Sequence, residues 1–302
     1  MAQITVTTTF LTAFYGLLLG MPEVSDACTS FAVFSNSVYY GMNFDFADLP
    51  MKFVIATNGN IRTFHLAFER TFGDMSFFVN TAGMNDKGLF AACQELHPGN
   101  LHPRTKTEAD LFTFELYDAI TGCASVEEIE TLCRRRPLVD MPGITLHNLF
   151  ADTRGRAIVT EVGENKTVVV EKTGNFMVMT NFPIGSMADK AYFEAQGKGS
   201  DRYVICHEYL DRYASHFNVE NGLELLSKCL NPDPQYPTAC SMVFDPQNRN
   251  VYIVLERNFS KIWKLAMENN QIETWRGFKK DLKISIPIGD QGLLVSNLLP
   301  HS

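Results

Sequence analysis

The stretch that decides the fold is Cys28-Thr29-Ser30-Phe31-Ala32-Val33-Phe34, followed by Ser35-Asn36-Ser37 and then Val38-Tyr39-Tyr40-Gly41-Met42-Asn43-Phe44-Asp45. Two runs rich in aromatic and β-branched residues flank three small polar ones, which is the pattern of a β-hairpin. Ahead of Cys28 lies an apolar run, Phe10 to Gly20, that descends through Val24-Ser25-Asp26-Ala27. A cut between Ala27 and Cys28 would leave one residue with both a thiol and a free α-amino group. An α-amino group titrates at about 7.7 to 8.0 and a thiol at about 8.5. Near neutral pH the amine can therefore take the thiol proton, which puts a nucleophile and its general base on one residue at the head of a strand.

Residues 1–27 read as a segment that is removed, and 28–302 as the folded domain. Ser25 and Ala27 are the small residues that a signal peptide needs before its cleavage site. The n-region departs from that pattern, because the first basic residue of the chain is Lys52. A signal peptide implies export to the periplasm or the cell exterior. A self-cleaved propeptide, from a start at Met21, would leave the protein cytoplasmic. Both routes expose Cys28.

Composition narrows the classes. The chain has 302 residues, 45% of them hydrophobic and 23 of them Phe, enough for one large core. A formal net charge of -8 excludes nucleic acid as the main partner, since a phosphate-binding surface needs a basic excess. No apolar run approaches the ~20 residues of a membrane span. The seven cysteines contain no C-x-x-C pair. Of these, Cys123 and Cys133 flank a predicted helix and are the pair best placed for a disulfide. The seven histidines show no metal-ligand spacing. No metal and no cofactor is expected.

Along the chain, strand blocks alternate with helix pairs. Arg62 to Phe68, Phe77 to Asn80 and Leu89 to Glu95 read as strands, with Gly83 to Gly88 as a tight reversal. A helical block spans Ala109 to Ile120, and Ser125 with Glu128 forms a capping box for a second helix. Four strands come next, at 145–151, 156–162, 167–171 and 176–180. Ser200 and Asn221 read as caps of helices ending near Tyr213 and Leu230. Residues 238–244 and 251–256 form a hairpin, and 261–266 add a strand. No linker divides this pattern. It suits an α+β domain of two antiparallel sheets covered by helices.

The ordered motifs resemble the cysteine-type N-terminal nucleophile (Ntn) hydrolases: choloylglycine hydrolase and penicillin V acylase, acid ceramidase, and isopenicillin N acyltransferase. Cys28-Thr29-Ser30 and Gly41-Met42-Asn43-Phe44-Asp45 are similar to the opening hairpin of that superfamily. Gly83-Met84-Asn85-Asp86-Lys87-Gly88-Leu89 resembles its Gly-Met-Asn-x-x-Gly-Leu turn. Thr180-Asn181-Phe182-Pro183 and Ser200-Asp201-Arg202-Tyr203 resemble two later motifs. The resemblance implies a four-layer αββα sandwich that hydrolyses linear, non-peptide C–N amide bonds through a Cys28 acyl-enzyme. It implies that Asp45 orients the Cys28 amine, that Asn181 donates to the oxyanion, and that Arg202 balances charge beside the thiol.

Two positions depart from the pattern. Met42 stands where the choloylglycine and ceramidase branches carry Arg, and Glu95 falls where the bile-salt and penicillin V enzymes place an oxyanion-hole Asn. The expected partner is a small-molecule N-acyl amide, with homo-oligomerisation left open. Acyl transfer through the same intermediate is one alternative. An exported binding protein that keeps the fold without turnover is another, and Met42 and Glu95 are the residues that favour it. The loops at Ala47 to Phe53 and Leu96 to Thr107 are expected to shape the pocket.

Overall fold

The hairpin forms as its alternation requires. Thr29–Phe34 (β1) pairs antiparallel with Val38–Asp45 (β2), with Ser30 opposite Met42 and Phe31 opposite Gly41. The Phe31 ring lies across Gly41 so closely that a Cβ there would sit 2.2 Å from it. Glycine at this position lets an aromatic side chain pack flat on the neighbouring strand.

The structure, a computed structural model, describes residues 28–72, 75–99, 105–141, 144–164 and 166–302. The expected leader, 1–27, lies outside the described residues. After the hairpin come β3 (Met51–Asn58), β4 (Ile61–Phe72), β5 (Met75–Asn85), β6 (Phe90–Glu95) and the short β7 (Leu111–Phe112). Helices α1 (Thr113–Asp118) and α2 (Val126–Arg135) precede β8 (Leu138–Val139), β9 (Leu146–Ala151), β10 (Ala157–Val162), β11 (Thr167–Glu171) and β12 (Phe176–Met179). Helices α3 (Ser200–Tyr213) and α4 (Val219–Lys228) are followed by β13 (Thr238–Asp245), β14 (Asn250–Leu255), β15 (Ile262–Ala266), β16 (Gln271–Arg276), β17 (Lys283–Ser285) and β18 (Leu293–Leu294).

The strands form two large antiparallel sheets. Sheet one runs β12-β1-β2-β13-β14-β15-β16-β17, and sheet two runs β11-β10-β9-β6-β5-β4-β3-β18. Their inner faces meet through aromatic rings. Tyr40 stacks on Phe90 at 5.0 Å, Phe90 meets Phe244 at 5.0 Å, and Phe44 meets Phe68 at 5.1 Å. Helices α3 and α4 cover sheet one, where Phe217 packs edge-on to Phe31 at 5.7 Å. Helices α1 and α2, with the turn that follows α1, cover sheet two through Leu116, Ile120, Val126 and Ile129, which join Phe150 and Ile158 in a second core. The layers are therefore αββα. Burying each large ring contributes roughly 2–3 kcal/mol, so this inter-sheet stack is the main cohesive element.

Several local expectations are corrected. The block from Ala109 to Ile120 is not one helix: β7 comes first, then α1 and a 3-10 turn, Ala119–Thr121. Gly83 to Asn85 belong to strand β5, so the reversal is confined to the residues after them. Ser200 does not cap α3; the cap position is Gly199, at φ 79°. A Cβ at 199 would lie 2.6 Å from the Arg202 guanidinium, so the space is kept for that side chain. Asn218 caps α4, and Asn221 is the reciprocal partner one turn inside. None of the seven cysteines, Cys123 and Cys133 included, forms a disulfide. The close pair is Cys206 and Cys229, with their sulfurs 3.4 Å apart. No helix among the described residues is long and apolar enough to cross a membrane.

Candidate active site

Cys28 immediately precedes β1 and is 2% exposed, with its Sγ 3.8 Å from the Asp45 carbonyl oxygen at the end of β2. The antiparallel register brings these two residues, 17 apart in sequence, to the same end of the hairpin. Asn181 lies just beyond β12, which pairs with β1 on its other side. Arg202 lies in the first turn of α3, directed at the same strand ends.

Arg202 joins the other three positions singled out in the sequence. Its Nη1 donates to the Cys28 carbonyl (2.8 Å), to the Thr29 hydroxyl (2.8 Å) and to Asp45 Oδ2 (3.3 Å). Its Nη2 donates to Asn181 Oδ1 at 3.3 Å. Arg202 is 3% exposed and Asp45 is fully buried, so the ion pair is hardly screened by solvent. Asn181 in turn donates through Nδ2 to the Glu95 carbonyl (2.8 Å), while its own carbonyl accepts from the His97 N–H (2.7 Å). With Oδ1 turned to Arg202 and one amide hydrogen committed to Glu95, the orientation of the Asn181 amide is fixed and one N–H remains.

Burial pushes the Asp45 carboxyl up to about 7, and Arg202 and the Thr238 hydroxyl offset part of that rise. Thr238 donates to Asp45 Oδ1 at 2.5 Å and accepts from the Asn231 N–H at 3.0 Å. It sits in β13 beside a register shift between Thr238 and Cys240. Thr238 is a site residue that sequence reasoning missed. A lone threonine at a strand bulge has no local signature. Glu161 was missed as well: it accepts from the N–H groups of Ile184 (2.7 Å) and Gly185 (3.2 Å) and so anchors the chain just beyond Asn181.

Cys28 opens onto a cavity of about 140 Å³ between the sheets, walled mainly by apolar side chains such as Phe44, Phe68, Phe77, Val79, Phe114, Ile144 and Leu146. Asp45, Asn181 and Arg202 stand behind Cys28 and not on the cavity wall. Neither Ala47 to Phe53 nor the described part of Leu96 to Thr107 lines it. Met42 is fully buried in the inter-sheet core. Glu95 does reach the cavity wall, and its carboxylate lies 3.5 Å from His97 Nε2. Among the described residues there is no group of three or more His, Cys, Asp or Glu that could hold a metal ion.

No family model matches this sequence, and no curated protein matches it. Solved structures do. Two variants of conjugated bile acid hydrolase from Clostridium perfringens superpose at TM-scores of 0.61 and 0.60, each at 16% identity. They cover 85% and 87% of this chain and 99% of their own. Penicillin V acylase from Agrobacterium tumefaciens superposes at 0.58 with 15% identity, over 82% of this chain and 90% of its own. With two antiparallel sheets between helix layers and these neighbours, the chain has the fold of the Ntn hydrolases, the αββα sandwich.

Proposed function

We propose that this protein is an N-terminal-cysteine amidohydrolase that cleaves linear N-acyl amides with an apolar acyl group. The observation that carries this reading is the convergence on Arg202 of Cys28, Asp45 and Asn181, three residues drawn from distant parts of the sequence. Here the guanidinium fixes the nucleophile's carbonyl, the carboxylate and the amide together.

In this reading the first event is maturation. The Cys28 thiol attacks the carbonyl of Ala27, a C–S bond forms as the peptide C–N bond breaks and frees the α-amino group, and water then hydrolyses the thioester to release the Ala27 carboxylate and the thiol. A signal peptidase would leave the same terminus. In turnover, the amine takes the thiol proton and sulfur attacks the amide carbonyl, whose π electrons move onto oxygen. The remaining Asn181 N–H and a backbone N–H stabilise that oxyanion, an effect worth about 3–4 kcal/mol per donor. The α-ammonium then protonates the leaving nitrogen, and the amine departs. Water, deprotonated by the Cys28 amine, cleaves the thioester to release the acid. Asp45 holds the amine by a charge-assisted hydrogen bond, and Arg202 keeps Asp45 oriented.

The test is intact mass and N-terminal sequencing of purified protein, combined with a panel of acyl amides assayed on wild type and Cys28→Ala. A new terminus at Cys28 and Cys28-dependent product support the reading. A wild-type chain that keeps 1–27 and turns over nothing on the panel overturns it in favour of a binding protein.

A further inference from the structure

Strand β4 breaks its own pattern at Arg70. Its inward positions Phe64 and Leu66 are fully buried, and Phe68 continues them against Phe44 and Phe46. The next inward position is Arg70, opposite Phe77, as Phe68 is opposite Val79. Strand β2 ends at Asp45, and here the inner face of β4 and β5 forms the cavity wall beyond Cys28. An alternation that calls for another apolar side chain supplies a guanidinium instead.

That guanidinium is held but not neutralised. Its carbon lies 5.3 Å from the Phe46 ring centroid and 5.6 Å from that of Phe68. Among the described residues the Arg70 side chain has no hydrogen bond and no ion pair. Stacking on two rings orients the planar group and leaves its five N–H donors without an acceptor among the described residues. The other charged group on the wall, Glu95, is engaged with His97. Across the sheet β5 separates their strands, which sets β4 and β6 roughly 10 Å apart. A molecule in this cavity therefore meets Cys28, a mainly apolar wall, the Glu95 carboxylate beside His97 and, two strands away, one cation with open hydrogen-bonding positions.

We propose that Arg70 is the specificity residue of this cavity, selecting N-acyl amides that carry a carboxylate beside an apolar body. This rests on the hydrolase reading for turnover, and on the cavity alone for binding. The carboxylate can belong to the acyl part, as in a monoamide of a dicarboxylic acid, or to the amine part, as in an N-acyl amino acid. The shared chemistry is a fork-to-fork contact between guanidinium and carboxylate.

The experiment compares each acid with its methyl ester, in both series, on wild type, Arg70→Gln, Arg70→Lys and Arg70→Glu. Turnover is read as kcat/KM. Binding is read by calorimetry with analogues in which CH2–CH2 replaces the amide. Wild type should favour the acid of at least one series by about 10- to 100-fold, the range of a charge-assisted hydrogen bond. Arg70→Gln should bring acid and ester within about 3-fold, Arg70→Lys should retain part of the preference, and Arg70→Glu should invert it. The series that shows the preference identifies which part of the substrate reaches Arg70. Equal affinity of wild type for acid and ester in both series, or a preference that survives Arg70→Gln, overturns the proposal. Turnover without charge preference sinks Arg70 and spares the hydrolase reading. Arg70-dependent binding without Cys28-dependent turnover does the reverse.

Discussion

Two strands of this molecule carry the same tripeptide and put it to different ends. Gly41-Met42-Asn43 lies in β2 of sheet one, and Gly83-Met84-Asn85 lies in β5 of sheet two. Both methionines are fully buried between the sheets. Both asparagines sew the sheet to its helix layer. Asn43 Nδ2 donates to the carbonyls of Leu226 and Cys229 at the end of α4, and Asn85 Nδ2 donates to those of Ile120 and Cys123 beyond α1. The two segments diverge downstream of the asparagine. After Asn43 the strand continues to Asp45, whose carboxylate meets Arg202. After Asn85 the chain turns at once, and Asn85 Oδ1 accepts from the N–H groups of Lys87 and Leu89. The tripeptide is thus a device of the fold, and only in β2 does the strand run on from it to a carboxylate that meets Arg202.

The sharpest way to break this contrast uses the two thiols of the cavity wall, Cys28 beside sheet one and Cys93 in sheet two. Cys28→Ala should lower amide turnover by at least ~10³-fold, while Cys93→Ala should change it by less than about 3-fold, since burial holds the Cys93 thiol far above its ordinary range. Comparable losses in both variants would show that the sheets do not divide the labour in this way.

The next contrast sets Asp45→Asn against Asp86→Asn. The first should cost on the order of 10²-fold in kcat and the second almost nothing. Asp45 also has a thermodynamic signature. Its folded carboxyl is raised to about 7, so the folded uncut chain holds a proton that the unfolded chain releases above about pH 4. This group's contribution to stability therefore falls as pH rises from about 4 to 7. Melting curves across that window should lose this downward component in Asp45→Asn, and cleavage at Cys28 should shift it to lower pH by adding an α-ammonium beside the carboxylate. An identical slope in wild type and Asp45→Asn would rule it out.

A third contrast concerns the glycines. A Cβ at 83 would meet the backbone oxygen of Phe64 at 2.4 Å, whereas a Cβ at 41 would meet the movable ring of Phe31 at 2.2 Å. Gly83→Ala should destabilise by about 3 kcal/mol and Gly41→Ala by less, in denaturant melts. Phe31→Leu should recover part of the Gly41→Ala loss, a coupling measurable as a double-mutant cycle. The smallest effect is expected at Thr238. Thr238→Val removes the hydroxyl that serves both Asp45 and the Asn231 N–H, at about 1–2 kcal/mol. Thr238→Ser should restore it.

Much of this architecture is legible in the sequence, and the illegible parts have definite physical causes. The β1–β2 hairpin is readable because alternation and a polar turn coincide. Strand β3 is not, because its run Phe53-Val54-Ile55 is buried on both faces and shows no period. Cys28, Asp45, Asn181 and Arg202 are readable through motifs in a fixed order, and the structure brings them together around one guanidinium. Thr238 and Glu161 act on that group from strands far along the chain, where a single polar residue resembles any other. The cap of α3 is misread because Ser200 has the right chemistry, but the approach of Arg202 to residue 199 decides the geometry.

The site is assembled from segments that are synthesised far apart in time. Arg202 gathers contacts from residues 28, 29, 45 and 181, and the second hydrogen bond to Asp45 comes from Thr238 in β13, the strand that also pairs with β2. A nascent chain released at residue 230 would contain every motif named in the sequence and still lack the strand that flanks Asp45. Any self-cleavage that draws on these groups must wait for nearly the whole domain to fold. The new amino terminus would then serve as a molecular receipt for completed folding, so that incomplete chains stay unarmed.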